Sequence, residues 1–187
     1  LSKANHLLQL KKMLRRQVQT ELSFLQSQIK PHFIFNAISV ITSLVTTVPR
    51  QAELLLLNLA DYLRDSFDFE NPSDRSSLKR ELHLLDAYLS IEQARFGQRL
   101  NIEQSIQPGL DRCQLPILCL QPLVENAIRH GLMVRSEGGT VRLVVSAQKQ
   151  TVQITVADDG IGMTQEKVAT LLATSSALAR GIGVRNV

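Results

Sequence analysis

The 187-residue chain has no tryptophan, and only 4% of its residues are aromatic. Flat side chains on which bases could stack are therefore scarce, which argues against a nucleic-acid partner. There are two cysteines, Cys113 and Cys119, in neither zinc nor redox-motif spacing, and they read as reduced thiols in a core. No apolar run approaches the length of a membrane span, and no signal peptide is visible. Residues 2–45 lack glycine and have Pro31 as their one proline, so little interrupts a long helix there. Residues 1–20 carry Lys3, Lys11, Lys12, Arg15 and Arg16 and no acid. Such a segment fits the cytoplasmic side of a membrane, where basic residues accumulate.

What is present is ordinary for a globular chain: 44% hydrophobic and 20% charged residues. Val18, Leu22, Leu25 and Ile29 step by four, three and four, and His32 and Asn36 continue the seam. The pattern predicts a first helix of about 65 Å, at 1.5 Å per residue. Its upstream part reads as coiled coil with a stutter, and a bend is expected at Pro31. Thr47 is the expected cap of a second helix at 49–66, with Pro49 in its first turn. A short connection makes the two helices antiparallel, and two such hairpins from two chains form a four-helix bundle. Residues 67–77 are turn-rich. A third helix at 77–97 puts Leu78, Leu82, Leu85 and Leu89 on one stripe and ends at Gly97.

After Gly97 the pattern changes. Residues 100–106 alternate as a strand, 117–131 form a helix, and Val141, Leu143, Val145 and Val152, Ile154, Val156 mark two more strands. A short helix is expected at 164–173. The fold class is α+β: a helical hairpin, then an α/β sandwich. Four segments follow: a membrane-proximal coiled coil at 1–20, a hairpin at 21–66, a hinge and connecting helix at 67–99, and a second domain at 100–187.

Strand alternation puts Asp158 on the face of Val152, Ile154 and Val156, where a buried carboxylate needs a donor such as a purine amine. Gly160 and Gly162 follow, allowing backbone close to a flat ring. The residues alone leave an ordinary Asp-Gly hairpin turn open. On the 117–131 helix, Leu120, Val124, Ala127 and Gly131 share one side; Asn126, Arg129 and His130 share the other. An Asn oxygen suits the oxygen shell of Mg²⁺, and Arg129 can offset phosphate charge. Asn126 and His130 are also spaced as a metal pair, but no third ligand is evident. Glu125 points about 100° away from Asn126, at the α-helical turn per residue, and is kept as a candidate base. Gly181 and Gly183 can present backbone N–H groups to phosphate oxygens.

These motifs carry a resemblance. The helix LQPLVENAIRHG, with Asn126, resembles the N box of the ATPase superfamily of gyrase, heat-shock chaperones and histidine kinases. DDGIGM and GIGVRN look like its two glycine boxes, and QIKPHFIFN is similar to the phosphoacceptor box of LytS-type sensor histidine kinases. The resemblance covers about residues 21–187 and implies a Bergerat-type ATP-binding domain whose sheet continues past Val187. It implies ATP and Mg²⁺ as cofactors, with Mg²⁺ on Asn126 and adenine on Asp158. It further implies His32 as the acceptor, Asn36 as a residue orienting a water that removes the phosphate, a homodimer, and an Asp of a response regulator receiver domain as partner. The resemblance places the chain on the cytoplasmic side of a bacterial membrane, anchored by a sensor segment outside it. Two positions depart from the wider pattern: Phe33 follows the acceptor where many kinases have an acid, and Pro122 stands four residues before Asn126. A conformational ATPase and a catalytically silent dimerising scaffold are the alternatives.

Overall fold

A computed structural model describes residues 31–67, 75–149 and 151–166. The coiled coil, residues 68–74 of the hinge expected at 67–77, Gly181 and Gly183 lie outside the described residues, as does the chain before Pro31. So does most of the helix expected at 164–173, of which residues 165 and 166 are described and helical. Of the hinge's ends, Phe67 is helical and Arg75–Ser77 form a strand. The described chain is α+β, as the sequence pattern requires.

Helix α1 (Pro31–Leu44) buries Phe33, Ala37 and Ile41, one residue per turn. Helix α2 (Pro49–Phe67) answers with Ala52, Leu55, Leu59 and Tyr62. Steps of three and four put each set on one stripe, and the stripes face one another. Thr47 is not the cap expected of it. Its hydroxyl donates back to Ser43 O at 3.3 Å, and Val48 O takes the first amides of α2, from Gln51 and Ala52. The reason is Pro49. With Pro49 as the first helical residue, the cap position falls on Val48, and Thr47 is left one residue too early.

Strand β1 (Arg75–Ser77) leads into helix α3 (Leu78–Phe96). Ser77 caps the helix by accepting from Arg80 N, and Gly97 ends it at φ 57°, a conformation glycine adopts without a Cβ penalty. The sequence pattern gave α3 a single apolar stripe. The helix in fact also buries Leu84, Tyr88 and Ile91, because it packs on α1 and α2 on one side and on the second half of the chain on the other. The core is consequently one hydrophobic cluster running from Phe33 to Val145.

Strand β2 (Leu100–Ile106) pairs parallel with β4 (Gly139–Gln148), and β4 pairs antiparallel with β5 (Thr151–Asp158), giving the order β2-β4-β5. A short β3 (Gln114–Pro116) pairs antiparallel with β1 and ties the entry of α3 to the sheet half. Between them, helix α4 (Leu120–Asn126) widens into a π-helical turn at Ala127–Leu132. Pro122 sits in the first turn of α4, where its missing N–H removes no helical bond. Val141, Leu143 and Val145 of the central strand are buried.

Candidate functional site

Helix α4 brings most of the singled-out side chains to one edge. Leu120, Val124, Ala127 and Gly131 are buried, while Asn126 and His130 are exposed and Arg129 is half-buried. The start of α4 is held by a residue the sequence pattern did not single out. Glu81 of α3 is 2% exposed. Its two oxygens accept the amides of Leu118 at 2.9 Å and Cys119 at 2.9 Å, with Leu120 N at 3.5 Å. These are amides that a helix start leaves without intrahelical partners. Burial, and then the Glu81 charge, pushes the Cys119 thiol up to about 12.

The π turn packs against the loop after β5. A Cβ on Gly131 would overlap the Asp158 carboxylate, and one on Gly160 would overlap the Gly131 backbone. Ile161 N donates to Gly131 O at 3.2 Å. The two glycines thus let a helix end and a strand end touch through backbone. Gly162 turns at φ 65° with open space around it.

Asp158 does not end a buried face. Val152, Ile154 and Val156 are half-buried and Asp158 is exposed, because β5 is the outer strand of the described sheet. Its Oδ1 accepts from Gly160 N at 3.0 Å, so the carboxylate has a backbone donor already. Asp159 is tied elsewhere: its Oδ1 accepts from Thr140 N at 2.7 Å, and its carbonyl accepts from Arg135 Nη1 at 2.7 Å.

The helical hairpin is seated beside this edge. Phe33, 2% exposed, lies between Tyr62 and Tyr88 with ring centroids at 4.9 and 5.0 Å. Tyr62 OH accepts from Gln121 Nε2 of α4 at 2.8 Å, and burial holds both tyrosine hydroxyls above their usual range. Phe33 therefore fixes the depth of α1, and His32, its neighbour, is set at the surface of α4. Arg129 Nη2 donates to His32 Nδ1 at 3.0 Å, and Asn36 Nδ2 approaches the same nitrogen at 3.0 Å. Arg129 Nε is meanwhile ion-paired with Glu125 Oε1 at 3.1 Å, and Glu125 is buried. Glu92 of α3 is drawn into the same electrostatic group. Burial raises its carboxyl, Arg95 and Arg129 oppose that, and Glu125 adds to it.

His32, Asn36, Glu125 and Arg129 thus form one constellation, with Asn126 next after Glu125 in the helix and three residues before Arg129. Gly131, Asp158 and Gly160 meet where the π turn packs on the loop after β5, and Asn126 and His130 are exposed on the same helical segment. The sequence pattern put Arg129 toward phosphate; in the structure its guanidinium is committed to Glu125 and His32. The spacing of Glu125 and Arg129, four apart on one helix, was the available signal for that pair.

Residues 20–100 match the histidine kinase family, and residues 114–186 match the family of histidine kinase-, DNA gyrase B- and HSP90-like ATPases. The chain belongs to the histidine kinase family. Its relatives include the YwpD protein of Bacillus subtilis, 39% identical over 188 residues, covering all of this chain and 66% of the relative. The sensor histidine kinase YpdA of Escherichia coli is 37% identical over 90% of this chain, and the sensor protein LytS of Enterococcus faecalis 34% identical over 88%. The chain spans 29% of YpdA and 28% of that LytS. Among the described residues no helix is long and apolar enough to cross a membrane.

Proposed function

We propose that the chain is the catalytic part of a LytS-type sensor histidine kinase of a two-component system, which moves the γ-phosphoryl group of ATP to His32. From there the group would pass to an aspartate of a response regulator receiver domain. The observation that carries this reading is the 3.0 Å contact between His32 Nδ1 and Arg129. It joins the acceptor candidate to the helix that bears Asn126. Nothing in a dimerising scaffold calls for an exposed imidazole at that edge.

In this reading ATP lies along the outer row of α4, with its adenine amine toward the Asp158 carboxylate and its phosphates by Asn126 and Arg129. His130 and the turn of Gly160 and Gly162 flank it, and Gly181 and Gly183 contribute backbone N–H groups. The lone pair of an imidazole nitrogen attacks the γ-phosphorus. An N–P bond forms, the bond from phosphorus to the β,γ-bridging oxygen breaks, and ADP leaves with that electron pair. The proton on the other ring nitrogen is then released, and Glu125 is the nearest carboxylate in the constellation.

Among the described residues no group of three or more His, Cys, Asp or Glu could hold a metal ion. That fits Mg²⁺ brought in with a nucleotide, since Mg²⁺ keeps water and phosphate oxygens and takes few from the protein. Asn126 would hold it, and the ion would supply charge neutralisation across the phosphates. The protein's share is positioning.

The outward face of the hairpin supports a homodimer. Phe35 is 70% exposed, and Ile38, Val45, Leu54 and Leu57 each about half. Their spacing makes a continuous apolar stripe on α1 and α2 that a second copy covers as a four-helix bundle. Asn36, beside the His32 ring, would orient a water for removal of the phosphate.

Incubation with γ-labelled ATP and Mg²⁺ tests the reading. Acid-labile label on the native chain, absent from a folded His32→Gln chain, is the expected outcome. Label persisting on His32→Gln removes His32 from its role. Release of phosphate with none on protein makes the chain a conformational ATPase, and absence of nucleotide binding makes it a scaffold.

A further inference from the structure

We infer that Arg129 is a latch on His32: it keeps the acceptor imidazole non-nucleophilic until nucleotide phosphate draws the guanidinium away. The inference rests on the reading that a nucleoside triphosphate binds along Asn126, and it concerns how that site is regulated.

A guanidinium has N–H donors and no acceptor. At 3.0 Å from Arg129 Nη2, His32 Nδ1 must therefore be the accepting nitrogen. A neutral imidazole has one accepting nitrogen and one N–H, so Nε2 carries the proton. The consequence holds for either choice of nucleophile. Nδ1 has its lone pair engaged by Arg129. Nε2 has no lone pair to offer while its proton remains. The latched imidazole can be seen by solvent and still be unable to attack phosphorus.

The guanidinium can leave because its two contacts use different atoms. Nε holds Glu125 at 3.1 Å, and Nη2 holds His32. Arg129 lies three residues after Asn126 on the same outer row of α4. Phosphate oxygens arriving at Asn126 compete for Nη2 with an uncharged ring nitrogen. Both bonds have a charged donor, but a phosphate also carries negative charge on the acceptor and can take two guanidinium N–H groups side by side, which one ring nitrogen cannot, so phosphate wins that competition. Binding of the donor then unmasks the acceptor, and an empty site leaves His32 closed to adventitious phosphoryl transfer.

Reactivity toward potassium phosphoramidate measures the latch without the nucleotide site. In that reaction an imidazole lone pair attacks phosphorus, the P–NH₂ bond breaks, and ammonia leaves after taking up a proton. His32 phosphorylation is followed by mass spectrometry of the whole chain. In the nucleotide-free state Arg129→Met is expected to raise its initial rate about tenfold, the order of one lost charge-assisted hydrogen bond. Arg129→Lys keeps a cation beside Glu125 but cannot serve both partners with one ammonium, so its rate rises too and guards against misfolding of the first variant. A non-hydrolysable triphosphate analogue with Mg²⁺ is expected to raise the native rate to that of the variants, and to add nothing to Arg129→Met.

Equal rates for the native chain and both variants overturn the latch. Binding of the analogue, seen by calorimetry, with an unchanged native rate overturns its release by nucleotide and leaves the proposed function standing. Failure of the analogue to bind removes the proposed function, and the variants' rates then decide the latch on their own.

Discussion

Glu81 offers the sharpest test of how the site is built, because the structure gives it a countable task. Two short bonds, to Leu118 N and Cys119 N at 2.9 Å, are made by a carboxylate with almost no solvent contact. Hydrogen bonds to a charged group contribute about 1.5–3 kcal/mol each. Glu81→Ala is thus expected to cost about 3–6 kcal/mol, a large share of the roughly 5–15 kcal/mol that stabilises a typical domain. Leu118 adds to the strain, since it sits at φ 52° and is held there through its own amide. Glu81→Gln keeps one accepting oxygen but turns an NH₂ toward backbone donors, and about 2–3 kcal/mol is expected from one lost charged bond.

Urea unfolding with an unchanged slope measures both values. A second readout is the Cys119 thiol. Burial still raises it in Glu81→Ala, but the neighbouring charge is gone, so its alkylation near pH 9 is expected to be faster than in the native chain. Because α4 carries Asn126 and Arg129, nucleotide affinity should fall in step with stability. A cost below about 1 kcal/mol for Glu81→Ala, under an ordinary hydrogen bond's worth, would refute the reasoning that this carboxylate anchors α4.

Four further outcomes are expected. Gly160→Ala drives a Cβ into the Gly131 backbone and should destabilise by about 1–3 kcal/mol as overpacking does. Gly162→Ala, with φ 65° but open space, should cost about 1–2 kcal/mol from the left-handed backbone and leave the Gly131 contact intact by amide exchange. Asp158→Asn keeps an oxygen for Gly160 N, so its melting temperature should barely move while its ATP affinity falls at least about tenfold by calorimetry, the discrimination set by losing a charged hydrogen bond; unchanged affinity refutes the adenine contact. The chain should lose stability as pH rises above about 9: unfolded Cys119 ionises near its ordinary value while the folded thiol holds its proton to about 12, so the unfolded state binds fewer protons. Cys119→Ala should flatten the decline between pH 9 and 10 in urea titrations, and Tyr62 and Tyr88, also raised by burial, should steepen it above pH 10.

Local rules made the secondary structure legible. Ser77 and Gly97 bracket α3, Pro49 opens α2, and alternation marks β4, because each effect acts within a few residues. The outer row of α4 was legible for the same reason. Thr47 misled because a single proline moves a cap by one position. What stayed hidden depends on partners far along the chain. Glu81 and Leu118 are 37 residues apart, and His32 and Arg129 are 97 apart. No periodicity reports such pairings. Gly131 and Gly160 read as freedom to approach a ligand, whereas the structure first uses them to bring a helix end against a strand end.

Phe33 shows how these levels join. An acid following the acceptor would give the imidazole a partner from its own helix. Phe33 is instead spent on the core, between Tyr62 and Tyr88, and a side chain inserted there cannot also serve the ring of His32. The partners of that ring must then come from one turn along α1, as Asn36 does, or from another element, as Arg129 does. A residue on the same helix moves with the acceptor and can hold it in every state. A residue on α4 holds it only while α1 and α4 are docked. In the proposed reading, replacing a local acid by a buried anchor makes the chemistry of His32 depend on docking, and it would place control of the acceptor on the helix that carries Asn126.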